Sequence, residues 1–297
     1  MASKVFKHGS GSTAAALFGV LAFVSLMAPV SCTREKQRVL SDLELRDLSG
    51  RVRTAVTRLY YAVHEPWAIR ADKAGLTASG HSFLSFSPEG RIDRSEYFDA
   101  NGALVSATEF IRDDFGRTVS EKSRLADGEL EYALFYEHDD RGRIVAEHYR
   151  DEAGARTGGY AYEYDEAGRL MRKLMDNSYA DGSRREMETL YLYDGSGRLA
   201  EERFMDESMG GVVLGIRHSW EGGKRAYSSH YQRGRWLEYR VFYDYDNVGN
   251  VIRETGFQIP ETADSVKYEA LTKAEDFPPA FLISVRETEY QYYPPID

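Results

Sequence analysis

Residues 160–172 read Tyr-Ala-Tyr-Glu-Tyr-Asp-Glu-Ala-Gly-Arg-Leu-Met-Arg, and this stretch decides the fold because the chain repeats it. Close copies occupy residues 191–199 and 243–251, and a looser copy occupies residues 136–144. Each copy reads as a strand, a four-residue Asp-x-x-Gly turn and a second strand. The Asp side chain can accept hydrogen bonds from amides across the turn, and Gly can adopt the left-handed conformation that re-enters the sheet as a bulge. The repeating unit is therefore predicted to be a β-hairpin.

The spacing of the turn glycines extends this prediction to most of the chain. Glycines of the first series are separated by 26, 26, 26, 29, 26 and 26 residues and lie at Gly90, Gly116, Gly142, Gly168, Gly197, Gly223 and Gly249. A second series lies between them at Gly102, Gly128, Gly154 and Gly182. A fixed period indicates a repeat architecture, with two strands and two turns in each period. The best-defined turns are predicted at Asp165 and Gly168, Asp194 and Gly197, and Asp246 and Gly249.

The predicted fold is all-β. We expect an extended antiparallel meander of roughly 14–16 strands, built from tandem hairpins and forming one twisted or coiled sheet. Residues 263–276 are predicted to form one short helix within an interruption at residues 256–280.

Strand alternation predicts an aromatic stripe on one face of the sheet. The face of Tyr162 and Leu170 should be the more buried, and the face of Glu163, Arg169 and Lys173 should meet water, because unpaired buried charges cost several kcal/mol. The stripe has two interpretations. In the first, the stripe is structural and packs against residues 64–80 and 256–280 or against the coil of the sheet itself. In the second, its exposed rings form a binding surface for sugars or for a protein. The candidate ring residues are Tyr162, Tyr164, Tyr191, Tyr193, Tyr243 and Tyr245.

The first 31 residues differ in kind from the rest. A basic start and an uncharged apolar run end in Ala-Pro-Val-Ser before Cys32, the only cysteine, so residues 1–31 read as a secretory signal. Cys32 resembles the lipid-acceptor cysteine of bacterial lipoproteins, which implies an acyl anchor in the bacterial cell envelope, with the outer membrane preferred over the inner. The alternative is a plain secreted or membrane-anchored protein with an incidental cysteine. Residues 32–48 would then be a tether, and residues 49–297 the repeat domain.

Composition excludes several functions. The formal charge is −10, and −12 without residues 1–31 (36 basic and 48 acidic residues), which argues against nucleic acid as a partner. His138 with Asp139 and Asp140 could suggest metal ligands, but Asp139 already has a predicted turn role. The sequence contains no nucleophile elbow, zinc-protease or phosphate-loop motif. We therefore predict a protein that is not an enzyme and has no cofactor or metal, although a glycosidase carboxylate pair could hide among its many acidic residues.

The motif Tyr162-x-Tyr164-Asp165-x-x-Gly168-Arg169-Leu170 resembles the YD repeat of Rhs-type bacterial cell-envelope and toxin-shell proteins. The resemblance covers about residues 82–258, and it implies a continuous sheet that serves as a scaffold or shell. The chain also resembles, more weakly, short repeat modules that act as toxin-neutralising partners.

These observations lead to one leading hypothesis and two alternatives. The leading hypothesis is a lipid-anchored cell-envelope protein whose sheet is a non-enzymatic binding or scaffolding surface for a protein or glycan partner. One alternative is a carbohydrate-binding or carbohydrate-active surface protein that uses the tyrosine stripe. The other is a toxin-neutralising partner.

Overall fold

The computed structural model describes residues 46, 48–62, 76–178, 184–206, 210–233, 235–260 and 263–295. The predicted signal peptide, Cys32, most of the predicted tether and most of residues 64–80 lie outside these residues.

Sixteen strands and one short helix lie in the described part of the chain. Their bounds are β1 (Val52–Ala62), β2 (Leu76–Phe86), β3 (Ile92–Phe98), β4 (Leu104–Arg112), β5 (Thr118–Leu125), β6 (Leu130–His138), β7 (Ile144–Arg150), β8 (Arg156–Tyr164), β9 (Leu170–Ser178), β10 (Arg184–Tyr193), β11 (Leu199–Asp206), β12 (Gly211–Glu221), β13 (Lys224–Gln232), β14 (Trp236–Tyr245), β15 (Val251–Gln258), α1 (Ser265–Glu269) and β16 (Leu282–Tyr292). Single 3-10 turns occupy Ala274–Asp276 and Pro279–Phe281. The helix predicted over residues 263–276 is therefore confined to α1, with a separate 3-10 turn after it.

The strands form a closed barrel, so the predicted open twisted or coiled sheet is wrong. Each strand pairs antiparallel with its neighbours in sequence, and β1 also pairs with β16. The closing ladder runs from Val52 opposite Tyr292 to Tyr61 opposite Ser284. Closure removes both free edges, which in an open sheet of this size would each expose a row of unpaired backbone groups. The all-β prediction and the antiparallel meander are confirmed.

The Asp-x-x-Gly turns have the predicted geometry. In the repeat at Gly168, the Gly168 N–H donates to the Asp165 carbonyl at 2.9 Å, and the Asp165 N–H donates to the Arg169 carbonyl at 2.9 Å. The φ angles of Gly168, Gly197 and Gly249 are +85°, +79° and +109°. Only glycine adopts such angles without strain, so the turn requires it.

A β-bulge accompanies each of these turns and changes the predicted faces. Tyr164 lies opposite Leu170 and Glu163 opposite Arg172, so the register shifts by one residue between them. The shift places Lys173 directly opposite Tyr162 on the aromatic face. The predicted outward position of Lys173 is therefore wrong, because a bulge inserts one residue and reverses the parity of the strand beyond it.

The aromatic face points into the barrel. Tyr243 and Tyr245 line a cavity together with residues of β1 and β16, including Thr57 and Thr288. Tyr162 is half-buried, whereas Glu163 on the opposite face is exposed. The face that carries the tyrosines is called the inner face below, and the other is called the outer face.

Residues 259–260 and 263–281 form a cap over the outer face of β13–β16, and they are called the cap below. Phe277 of the cap packs with Phe242 and Phe257 in the largest buried apolar cluster, at ring distances of 5.6 and 5.0 Å. These rings alternate with the inner-face tyrosines along their strands, as shown by Phe242 between Val241 and Tyr243. The cap therefore covers the outer face. The prediction that this interruption in the repeats packs against the tyrosine stripe is wrong.

Candidate ligand-binding site in the barrel lumen

The second tyrosine of each motif ties its repeat to the preceding one. The hydroxyl of Tyr164 donates to the carbonyl of Ile144 at 2.7 Å, and that of Tyr193 donates to Leu170 at 2.7 Å. The hydroxyl of Tyr245 donates to the carbonyl of Arg225 at 2.9 Å. In each case the acceptor lies two residues after the turn glycine of the preceding repeat. These hydroxyl groups therefore donate within the fold and are not free to donate to a ligand.

The Arg that follows a turn glycine joins the same contact. Arg143 lies 4.5 Å above the ring of Tyr164, and Arg169 lies 4.6 Å above the ring of Tyr193. The Arg169 guanidinium is also held by Asp165 at 2.7 Å. The backbone N–H of Arg169 keeps the pKa of Asp165 below its ordinary value, and its guanidinium acts in the same direction against the opposing effect of burial. The turns at Gly142 and Gly168 thus each orient a cation onto the ring of the next repeat.

The first tyrosine of each motif faces polar groups in the lumen. Tyr162 lies beside Glu147, and burial with this neighbour raises the pKa of Tyr162 above its ordinary value. Lys173 Nζ lies 3.7 Å from the ring centre of Tyr160. Burial lowers the pKa of Lys173 and raises that of Glu121, which faces the same interior. This part of the lumen is a packed polar and aromatic interior.

An open cavity of about 1080 Å³ occupies the lumen beside β1–β3 and β12–β16. It runs from the first-series turns at Gly223 and Gly249 to Tyr61 and Tyr97. Tyr61 is 48% exposed and Tyr97 is 40% exposed, so this end opens to solvent. The aromatic side chains that line it are Tyr61, Tyr97, Trp220, Tyr243, Tyr245 and Tyr290.

The cavity is rich in basic side chains. Arg46, Lys224, Arg225 and Arg286 line it, and Glu254 is the acidic lining residue in the described part of the chain. Glu254 is paired with Arg286, whose Nη1 lies 3.1 Å from both carboxylate oxygens. The lining is therefore positive in a chain whose formal charge is −10.

A buried polar network borders the cavity behind Tyr243. The Tyr243 hydroxyl donates to Ser228 Oγ at 3.0 Å, and Ser228 Oγ lies 2.8 Å from His218 Nδ1. His218 Nε2 lies 3.0 Å from a carboxylate oxygen of Glu202. The order Ser, His and Glu is that of a catalytic triad, but Ser228 is only 1% exposed. Because no substrate can reach this hydroxyl, we interpret the network as a satisfied interior.

Among the described residues, no group of three metal-ligating side chains could hold a metal ion. No helix in the described chain is both long and apolar enough to cross a membrane. Asp139 has the turn role predicted for it, because its side chain accepts from the N–H of Arg143 at 2.9 Å.

The structure divides the six candidate tyrosines. Tyr243 and Tyr245 line the cavity, whereas Tyr162, Tyr164, Tyr191 and Tyr193 are not among its described lining residues. Sequence reasoning missed Trp220, Lys224 and Arg225. Arg225 lies two residues after Gly223, where the repeats at Gly168 and Gly197 have leucine, and the periodic pattern does not indicate where the lumen remains unfilled. Cys32 lies outside the described residues.

No protein-family model matches the chain. No curated protein matches it either. Among solved structures, the chain is similar to the Tc holotoxin pore of Photorhabdus luminescens, with 15% identity, 64% of this chain and 13% of that chain covered, and a TM-score of 0.33. It is similar to the TcdB2-TccC3 complex at 14% identity, covering 64% of this chain and 14% of that one, with a TM-score of 0.32.

The chain thus spans about one eighth of the length of these toxin chains. It is also similar to a porin-like protein from Bacteroides uniformis, with 9% identity, 82% of this chain and 99% of that chain covered, and a TM-score of 0.49. Because every one of these TM-scores is below 0.5, the similarities assign neither a family nor a function.

Proposed function

We propose that the protein is an exported, lipid-anchored barrel that binds a small ligand in its lumen and catalyses no reaction. The cavity of about 1080 Å³, lined by rings and basic side chains, is the observation that carries this proposal. Small-molecule sites are typically concave, mostly aromatic or apolar, and supplied with a few polar groups, at volumes of roughly 300–1,000 Å³.

The charged residues of the outer face favour a barrel that is attached to the membrane by an anchor over one that is inserted into the bilayer. Outer-face residues on different strands include Glu109, Lys122, Glu137, Arg172 and Arg203, as their cross-strand partners show. A basic residue on the lipid face of a barrel costs about 2–4 kcal/mol at the bilayer midplane. A barrel with this outer face is more stable in water, and an acyl chain on Cys32 would hold it at the membrane.

The anchor is tested by Cys32→Ala in the full chain, with Thr33→Ala as the neighbouring control. We expect Cys32→Ala to move the protein from the membrane fraction to the soluble fraction and to remove the mass of the acyl groups. Thr33→Ala should leave both unchanged. An unchanged mass and membrane fraction for Cys32→Ala would disprove the anchor.

Ligand binding in the cavity is tested with the neutral fluorescent probe N-phenyl-1-naphthylamine. Thr288 lines the cavity, and its neighbour Glu289 lies on the outer face with a side chain that is 73% exposed. We expect saturable binding by the wild type, weaker binding in Thr288→Trp, whose ring occupies part of the cavity, and retained binding in Glu289→Trp. No saturable binding by the wild type, or equal binding by both variants, would refute the lumen as the binding site.

A carbohydrate ligand is the second candidate. Because Tyr243 and Tyr245 line the cavity, the sugar would stack on their rings inside the lumen and not on an exposed surface. Aromatic rings stack on the apolar faces of sugars. If no glycan on an array binds but the fluorescent probe binds saturably, sugars are excluded and the cavity remains the proposed binding site.

A further inference from the structure

Four ring side chains of the cavity donate their polar hydrogen within the fold. The Tyr243 hydroxyl donates to Ser228, the Tyr245 hydroxyl to Arg225, and the Tyr290 hydroxyl to Val251 at 3.1 Å. The indole N–H of Trp220 donates to the carbonyl of Leu199 at 2.9 Å. These rings therefore offer a ligand apolar surface but few free hydrogen-bond donors.

Two basic side chains differ from the rings in this respect. Arg286 is neutralised by Glu254, but Arg225 and Lys224 have no carboxylate partner among the described residues. The Nε of Arg225 is buried and has no hydrogen-bond acceptor in the described structure, so no described acceptor competes for the charge of the guanidinium there.

The position of Arg225 is fixed by its neighbours. Its guanidinium carbon lies 5.5 Å from the ring centre of Trp220 and 5.6 Å from that of Tyr243. Its backbone carbonyl is held by Tyr245, and Arg225 pairs across the ladder with Trp220. Lys224 precedes Arg225 at the adjoining turn, and its Nζ lies 5.0 Å from the ring centre of Tyr245. A planar guanidinium held between two rings, with a second cation beside it, is preorganised for an oxyanion.

We propose that the cavity binds an organic anion, that is, a carboxylate, sulfate or phosphate group on an apolar or ring-shaped body. Arg225 is the principal contact for the oxyanion, and Lys224 is the second. The body of the ligand lies against the rings of the cavity. The proposal rests on the proposed function, because it names the class of ligand for the same cavity. A neutral polyol fits less well, since the ring hydroxyl groups near Arg225 already have acceptors.

The test compares two fluorescent probes of similar ring size. The probe 8-anilinonaphthalene-1-sulfonate carries an anionic group, whereas N-phenyl-1-naphthylamine does not. We expect Arg225→Gln to weaken binding of the anionic probe by about tenfold or more, as loss of a charge-assisted hydrogen bond predicts, and to leave the neutral probe within about twofold. Lys224→Gln should have a smaller effect of the same kind.

Arg217→Gln is the matched control, because it removes the same charge from the outer face of the adjacent strand, where Arg217 is 54% exposed and 4.5 Å from the ring of Tyr231. It should change binding of neither probe. Thermal melting of every variant checks that the barrel is folded. Should Arg225→Gln fail to fold, Lys224→Gln decides the result, because its side chain lies at the surface.

The outcomes separate this proposal from the one on which it rests. Binding of both probes with equal sensitivity to Arg225→Gln and Arg217→Gln would overturn the anion site and keep the cavity. No binding of either probe would overturn both. Competition by decanoate but not by benzoate or inorganic phosphate would identify a fatty-acid or lipid-derived anion. Competition by benzoate or inorganic phosphate but not by decanoate would identify a small water-soluble anion.

Discussion

Replacing Arg240 should detach the cap from the barrel. Arg240 lies on the outer face of β14 and is only 2% exposed. Its Nε donates to Ser229 Oγ at 2.9 Å, and its Nη1 donates to the carbonyls of Tyr268 at 3.1 Å and of Leu271. The guanidinium carbon lies 4.7 Å from the ring centre of Tyr227. One side chain therefore connects the barrel wall to the end of α1.

The magnitude follows from these contacts. A hydrogen bond to a charged group contributes about 1.5–3 kcal/mol, and a neutral group left buried without its partner costs about 1–3 kcal/mol. Arg240→Ala removes three donor contacts and leaves a cavity beside Tyr227. We expect it to lower the free energy of unfolding by about 3–4 kcal/mol. Arg240→Lys keeps the charge but not the planar fork, so it should have an intermediate effect.

Urea unfolding followed by tryptophan fluorescence measures the stability, and amide hydrogen exchange locates the change. Exchange should accelerate most in the cap. Arg58→Ala is the control, because Arg58 is on the outer face and is paired with Glu289, and the two side chains are 38% and 73% exposed. Exposed ion pairs contribute about 0–1 kcal/mol. An Arg240→Ala variant that matches Arg58→Ala in stability, or unchanged exchange in the cap, would refute the role of Arg240.

Two further predictions concern the turns and the lumen. Gly197→Val should lower the free energy of unfolding in urea by more than about 1 kcal/mol, because φ is +79° at this glycine. Ser196→Ala should change it little. Equal effects of the two substitutions would contradict the turn geometry. Burial raises the pKa of Glu121, so its contribution to stability is complete below the unfolded pKa of about 4.3 and is lost as pH rises through the folded pKa. The unfolding free energy of Glu121→Gln relative to the wild type should therefore rise with pH from about 4.3 up to the folded pKa, and a difference that is constant with pH would disprove this.

Local features were readable from the sequence because they depend on neighbouring residues. An Asp three residues before a Gly defines a turn whose hydrogen bonds and left-handed φ form within that turn. The period of 26 residues therefore located the hairpins, and alternation placed Tyr162 on the more buried face. Arg225, the residue that we propose binds the ligand, was harder to recognise. It occupies the position where Leu170 and Leu199 stand in other repeats, and the pattern alone reads it as an interruption.

Closure, the parity beyond each bulge and the position of the cap were decided only by the tertiary structure. Closure needs Val52 to meet Tyr292, and no local pattern determines whether strands so far apart in sequence will pair. The Asn250 side chain, which donates to the Ser49 carbonyl at 2.9 Å, joins the last repeat to the first strand at this seam. Lys173 turned inward because a bulge adds one residue to a period-two pattern. The cavity followed from closure, since a lumen exists only after the sheet has joined its own edge.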